Sequence, residues 1–155
     1  MDFRYWDANA FLGWLAGESD KVEMCRPVIH AAEGGKVTLI TSALTIAEVL
    51  WIKGGPKIGP EQAKRVESFF RHQWIVIREV DRFIAEAARR LVWEENVKPK
   101  DAIHVATALA QDVPIDQLDT FDGPLIKLSR KLGDPPLLIG MPNLPARLPF
   151  EDDPT

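Results

Sequence analysis

Short apolar stretches that alternate with longer helical patterns are the feature that most restricts how this chain can fold. The clearest is VTLIT at residues 37–41, which contains no charged residue and no alternation of apolar and polar positions. A strand of this composition is buried on both faces, and sheets buried on both faces are parallel sheets covered by helices on each side. The sequence therefore predicts an α/β sandwich with a mainly parallel central sheet.

Strand and helix patterns alternate along most of the chain. Strands are predicted at residues 3–7, 37–41, 74–80, 114–120 and 137–139. Helices are predicted at residues 8–15, 20–32, 42–53, from 60 onward, after 81, at 99–109 and at 125–132. Ser19 is the expected N-cap of the helix at 20–32, because its hydroxyl can accept a hydrogen bond from the first turn. One domain is expected over residues 1–140, followed by an irregular, proline-rich and acidic tail at 141–155.

Composition limits the classes of protein to which this chain can belong. The 155 residues carry a net charge of −4, so the overall charge does not indicate a nucleic-acid-binding protein. A polyanionic substrate would need a local basic patch or metal ions that reverse the sign of an acidic pocket. Cys25 is the only cysteine, which excludes an internal disulfide and favours a reducing cytoplasm. No apolar run reaches the ~20 residues that a membrane helix needs.

Acidic residues recur at positions that an α/β sheet brings to one edge. Asp7 ends the first predicted strand, and Asp119 and Asp122 lie at the end of the fourth. Glu48 and Asp101 lie in helices that begin shortly after a strand or loop. Sites in open parallel sheets form outside the carboxyl ends of the strands. These carboxylates are therefore candidates for one acidic site.

Two of these acids have an alternative explanation that the sequence leaves open. Asp101 is in the first turn of the helix KPKDAIHVATAL, where a carboxylate also complements the helix dipole. Glu48 lies in an apolar helix, where a carboxylate is costly unless it is paired or coordinated. The nearest cation, Lys53, is five residues further on and off the same helical face. A structural ion pair is therefore the weaker explanation for Glu48.

Four or five converging carboxylates point to a particular chemistry. They repel one another, which raises their pKa values, unless cations lie between them. Oxygen ligands without a cysteine cluster or a histidine pair suit Mg²⁺ or Mn²⁺ rather than zinc. Such ions support phosphoryl-transfer reactions by activating water and stabilising the leaving oxygen. The residues alone thus lead to metal-dependent phosphodiester chemistry.

Four short motifs in the chain resemble, in order, the acidic motifs of the PIN-domain family. They are YWDANAFL, TIAEVL, DAIHVATAL and LDTFD, and the similarity spans roughly residues 3–139. The resemblance implies a three-layer α/β/α sandwich with a five-stranded parallel sheet and an Mg²⁺- or Mn²⁺-dependent ribonuclease. Small single-domain members of the family are mostly the VapC-like toxins of type II toxin–antitoxin pairs. The resemblance therefore also implies an RNA substrate, a homodimer and a cognate antitoxin protein.

The resemblance also assigns site residues. Asp7, Glu48 and Asp101 match the three most constant acids of the family. Asp122 matches the fourth, because Thr120-Phe121-Asp122 fits the pattern of a threonine two residues before an acid. Asp119 remains an alternative, either as an extra metal ligand or simply as the end of the strand.

Further residues are expected to support these acids. Thr120 matches the family's hydroxyl that orients a carboxylate or the attacking water, and Asn9 matches a polar residue that often follows the first acid. Candidate contacts to the RNA backbone are the lysines near the proposed site, namely Lys53, Lys57, Lys98 and Lys100. His104 lies one turn after Asp101 and could support the acids, but the favoured expectation is that it lies on a narrow polar stripe of its helix and contacts Thr107.

The sequence leaves open two alternatives to a toxin. One is a stand-alone PIN-domain nuclease that processes RNA, and the other is a PIN-like module that binds RNA or protein without catalysis. A haloacid-dehalogenase-like phosphatase also has an acid after its first strand, but it needs Asp-x-Asp where this chain has Asp7-Ala8-Asn9. The presence of all four acids favours the nuclease.

Overall fold

The computed structural model describes residues 1–50 and 54–144. The first half of that region contains β1 (Asp2–Trp6), α1 (Ala8–Leu15), α2 (Ser19–Glu33), β2 (Val37–Ser42), α3 (Ala43–Glu48) and α4 (Pro60–Phe69). The second half contains β3 (Ile75–Arg78), α5 (Arg82–Glu95), α6 (Pro99–Leu109), β4 (Gln117–Asp119), α7 (Gly123–Ile126) and β5 (Ile139–Gly140).

The strands form one sheet of five strands in the order β3-β2-β1-β4-β5, and every neighbouring pair is parallel. β1 is the central strand, with Tyr5 paired to Ile40 of β2 on one side and to Leu118 of β4 on the other. The chain proceeds outward from β1 to β3, and it then crosses to the other side of β1 for β4 and β5. A reversal of this kind opens a crevice at the carboxyl edge of the sheet. The predicted α/β fold is confirmed.

Helices cover both faces of the sheet because successive strand residues point to opposite sides. Tyr5 and Ile40 pack with Val105 of α6 in one buried cluster. Trp6 and Leu39, their neighbours in sequence, pack on the other face in a second cluster. That second cluster also contains side chains of α1 and α2, such as Phe11 and Val28. The strands are therefore buried on both faces, which explains the uninterrupted apolar pattern of residues 37–41.

Helix boundaries differ from the sequence prediction at two places. Ser19 is the first residue of α2 and not its cap, because Glu18 occupies the cap position without a side-chain hydrogen bond to the helix. The helix predicted at 42–53 is shorter, since Ser42 is its cap and α3 ends at Glu48. Val49 leaves the helical region with ψ 131 and Leu50 has φ 65, so the chain turns away. Glu48 consequently ends the helix at the sheet edge.

Several predicted elements are shorter in the structure. β3 and β4 end at Arg78 and Asp119, since their pairing stops where the neighbouring strands β2 and β1 end. The helix predicted at 125–132 is reduced to α7 and a series of turns, in which Arg130 has φ 65. Of the predicted tail, residues 141–144 are irregular and residues 145–155 lie outside the described part. None of the helices in residues 1–50 and 54–144 is long and apolar enough to cross a membrane.

Candidate active site

A cavity of about 580 Å³ lies at the carboxyl edge of the sheet. It is lined by residues that follow β1, β2 and β4 and by the first turns of α6: Asp7, Ala8, Asn9, Leu12, Leu44, Ala47, Glu48, Lys100, Asp101, His104 and Asp122. The four acids that match the family motifs are all among them, whereas Asp119 is not. Residues more than a hundred positions apart in the chain are thus brought to one cavity by the sheet topology.

Asp7 is held at the cavity wall by the start of α1. Its Oδ1 accepts a hydrogen bond from the backbone N–H of Ala10 at 2.9 Å, which makes Asp7 the N-cap of that helix. The side chain is almost fully buried, and burial raises the pKa of Asp7 from 3.8 to about 6. Three neighbours oppose this rise in pKa: His104, a hydrogen bond from Thr120 and the bond from Ala10. The negative charge of Asp101 adds to the rise. Ionisation of Asp7 is therefore more costly in the folded protein than in the unfolded chain.

Asp101 and Asp122 both line the cavity. Burial raises the pKa of Asp101, and the negative charges of Asp122 and Glu48 raise it further, while His104 and Lys98 lower it. Asp122 follows β4 and caps α7, because its Oδ2 accepts from the N–H of Leu125 at 3.1 Å. Repulsion among these acids shows that their charges converge on one volume.

Glu48 has a partner that was not expected from the sequence. Its Oε1 lies 2.9 Å from Nε2 of His104, a residue of α6 that is 56 positions away in the chain. Nδ1 of the same ring lies 2.8 Å from the hydroxyl of Tyr5 in β1. The hydrogen bonds of the ring thus go to β1 and α3, while the Thr107 hydroxyl donates to the backbone carbonyl of Ile103. The polar stripe of α6 was a correct signal for a buried contact but did not identify the partner.

Asp119 lies in the core and not in the cavity. Its carboxylate accepts hydrogen bonds from Arg4 at 2.8 and 2.6 Å, from Nε1 of Trp6 at 2.7 Å and from Nε2 of Gln117 at 2.9 Å. The residue is fully buried, and Arg4 is only 4% exposed. The pleat explains this placement: Asp119 pairs in register with Trp6 and shares its face of the sheet. The structure therefore does not bring Asp119 to the cluster of acids, and its role as an extra ligand is corrected to a buried ion pair.

The expected supporting residues tie the loops of the site together. Oγ1 of Thr120 accepts from the N–H of Asp122 at 3.1 Å, and the same hydroxyl hydrogen-bonds to Asp7. Oδ1 of Asn9 accepts from the N–H of Phe121 at 3.1 Å, which joins the start of α1 to the segment after β4. These bonds fix the spacing between Asp7 and Asp122.

The candidate lysines are placed differently from one another. Lys100 lines the cavity, and Lys98 is close enough to Asp101 to lower its pKa. Lys57 is exposed in the segment before α4. Lys53 lies outside the described residues, so its predicted role stays a prediction.

The four acids converge on the cavity without forming a ready coordination shell. Among residues 1–50 and 54–144, no three histidine, cysteine or acidic side chains stand close enough to hold one cation together. One oxygen each of Asp7, Glu48 and Asp122 takes part in a local hydrogen bond, with Ala10, His104 and Leu125 respectively. Each of these bonds involves one of the two oxygens of its carboxylate. The side chains at the cavity still offer mainly carboxylate oxygens, which are the ligands that Mg²⁺ and Mn²⁺ prefer.

Comparison with known proteins assigns the family. A model of the PIN domain matches residues 4–131, and the chain therefore belongs to the PIN domain family. No curated protein matches the chain by sequence.

Two solved structures share the fold. A chain of a toxin–antitoxin complex from Klebsiella pneumoniae superposes with a TM-score of 0.56 at 24% identity, covering 77% of this chain and 86% of that one. The toxin VapC20 of Mycobacterium tuberculosis, which cleaves the sarcin-ricin loop, superposes with a TM-score of 0.62 at 15% identity, covering 80% and 92%. At these identities the likeness establishes a common fold.

Proposed function

We propose that this protein is an endoribonuclease that hydrolyses RNA phosphodiester bonds with the help of Mg²⁺ or Mn²⁺. The observation that carries the proposal is the convergence of Asp7, Glu48, Asp101 and Asp122 on one cavity at the carboxyl edge of the sheet. Burial and mutual repulsion raise the pKa values of Asp7 and Asp101, and a cation beside them would favour their ionised forms. Membership of the PIN family supports the nuclease class.

The donor chemistry of the cavity fits a hard divalent cation. Asp7, Asp101 and Asp122 would hold it, and Glu48 would hold it or its water. Carboxylate oxygens are the preferred ligands of Mg²⁺ and Mn²⁺, and the oxygens not used by the local bonds are available to them. Once bound, such an ion lowers the pKa of water and neutralises charge that develops on the phosphate.

The chain's own residues prepare the site for this reaction. The Thr120 hydroxyl and the Ala10 N–H both favour the ionised form of Asp7, which is the form that a ligand needs. Lys98 and Lys100, at the start of α6, supply positive charge beside the acids, where the RNA backbone has to approach. A chain with net charge −4 depends on such local cations to admit a polyanion.

We also propose that the protein is the toxin of a type II toxin–antitoxin pair and that it forms a homodimer. Support for the toxin role comes from the fold shared with a chain of a toxin–antitoxin complex and with an RNA-cleaving toxin. A short open reading frame next to its gene, encoding a protein with a DNA-binding N-terminus, is expected. Copurification of that protein with this chain, together with loss of cleavage, would support the pair. Cleavage unaffected by any such neighbour would instead favour a stand-alone RNA-processing nuclease.

Cleavage of a labelled single-stranded RNA tests the nuclease proposal. The wild-type protein is expected to cut the RNA with Mn²⁺ or Mg²⁺, and EDTA is expected to stop the reaction because the acids alone cannot neutralise the phosphate charge. Asp116→Asn is a matched control, since Asp116 is an acid that does not line the cavity. Equal cleavage with EDTA would refute metal dependence. No cleavage of any RNA, with Mn²⁺ bound at the acids, would favour a silent binding module.

A further inference from the structure

We propose that His104 is a positioning residue, which holds the Glu48 carboxylate at the cavity wall and thereby raises the affinity of the cavity for a divalent cation. This inference rests on the proposed metal-dependent function. It concerns a residue outside the four acids, and it assigns a role to the hydrogen-bonded chain Tyr5–His104–Glu48.

The geometry of the His104 ring leaves little freedom. Its Nε2 lies 2.9 Å from Oε1 of Glu48, and its Nδ1 lies 2.8 Å from the hydroxyl of Tyr5. The ring is only 2% exposed and packs edge-on against Tyr5, with the ring centroids 5.8 Å apart. Three elements, β1, α3 and α6, thus meet at one imidazole.

The Glu48 carboxylate fixes the direction of its hydrogen bond with His104. An ionised carboxylate can only accept, so Nε2 is the nitrogen that donates to Glu48. Nδ1 accepts from the Tyr5 hydroxyl when the ring is neutral and donates to its oxygen when the ring is charged, so the contact is kept in both forms. Each polar atom in the chain has its complementary partner, and the Glu48 carboxylate is the end that faces the cavity.

Glu48 needs such a partner because its own position constrains it weakly. It is the last residue of α3, and the chain leaves the helix directly after it at Val49. Its side chain has several rotatable bonds and is 20% exposed. Ordering a long side chain at binding costs conformational entropy, and His104 removes part of that cost in advance. Loss of a hydrogen-bond partner of a metal ligand typically lowers metal affinity about 10- to 100-fold.

The test is the affinity of the protein for Mn²⁺ alone, measured by titration calorimetry without RNA. His104→Leu removes both ring nitrogens at similar volume and is expected to weaken Mn²⁺ binding about 10-fold or more. His104→Gln places an amide N–H near the position of Nε2 and is expected to restore most of the affinity. Val105→Ala, at a fully buried neighbour on the same helix, is the control for a general loss of stability.

A double-variant cycle shows whether His104 acts through Glu48. In the Glu48→Ala background, His104→Leu is expected to cause no further loss of Mn²⁺ affinity. Wild-type affinity in His104→Leu, or an equal loss in Val105→Ala, would overturn the positioning role while the proposed function stands. Failure of the wild-type protein to bind Mn²⁺ would overturn both.

Discussion

Asp7→Asn is expected to abolish metal-dependent RNA cleavage and, at neutral pH, to stabilise the metal-free protein. The substitution removes a charge that the site needs for a cation, so we expect a loss of at least about 100-fold in cleavage rate. The fold should persist, because asparagine caps a helix as well as aspartate does. The opposite effects on activity and stability distinguish a functional charge from a structural one.

The stability gain has a definite dependence on pH. Burial raises the pKa of Asp7 to about 6 in the folded protein, against its ordinary value of 3.8 in the unfolded chain. Between these values the folded state holds a proton that the unfolded state has lost, so wild-type stability falls as the pH rises from about 4 to about 6. Asp7→Asn lacks this loss. Its free energy of unfolding should therefore exceed that of wild type by an amount that grows over this pH range to at most about 3 kcal/mol.

Urea unfolding in EDTA at a series of pH values measures this difference directly. The difference in the free energy of unfolding between Asp7→Asn and wild type should be smallest near pH 4 and level off above pH 7. Asp116→Asn provides the control for removing a less buried acid whose pKa is also raised. A variant that cleaves RNA normally would show that the site is assigned wrongly. A variant that is less stable at neutral pH would show that the Asp7 charge supports the fold.

Arg4→Met is expected to destabilise the protein by about 3–5 kcal/mol, the usual result of leaving one charge of a buried pair without its partner. Asp119 would remain fully buried with hydrogen bonds only from Trp6 and Gln117. Adding Asp119→Asn removes the isolated charge while its amide oxygen can still accept from Trp6. The double variant should therefore regain most of the lost stability, as measured by urea unfolding.

Two controls separate this ion pair from other effects. Arg82→Met breaks the exposed pair between Arg82 and Glu86, and pairs of this kind contribute only about 0.3–0.5 kcal/mol. The double variant Arg4→Met/Asp119→Asn should bind Mn²⁺ as wild type does, because neither residue lines the cavity. Weakened Mn²⁺ binding in that variant would show that Asp119 contributes to the metal site.

The architecture was predictable because its cause is local. Strands buried on both faces have to be apolar throughout, and this pattern is visible in residues 37–41 without knowledge of any contact. The position of Asp7 after β1 and of Asp122 after β4 followed from the rule that parallel strands bring their carboxyl ends to one edge. These inferences need only the order of elements along the chain.

The errors concern choices that depend on tertiary contacts. Asp119 ends β4, and its register opposite Trp6 of β1, which the sequence does not reveal, places its carboxylate in the core. His104 lies on a recognisable polar stripe, but its partners come from β1 and from α3. The hydrophobic pattern indicates that such a side chain is buried, but it does not indicate which residues the side chain contacts.

Anomalous diffraction from crystals soaked in Mn²⁺ tests the metal site most directly. We expect a peak inside the cavity with carboxylate oxygens of Asp7, Asp101 and Asp122 as ligands and with Glu48 bound to the ion or to its water. Asp119 should remain bonded to Arg4, and no peak should lie beside it. The same soak of Asp7→Asn should give a weaker peak or none. A cavity without a peak at saturating Mn²⁺, or a peak of equal height in the variant, would contradict the proposed metal site.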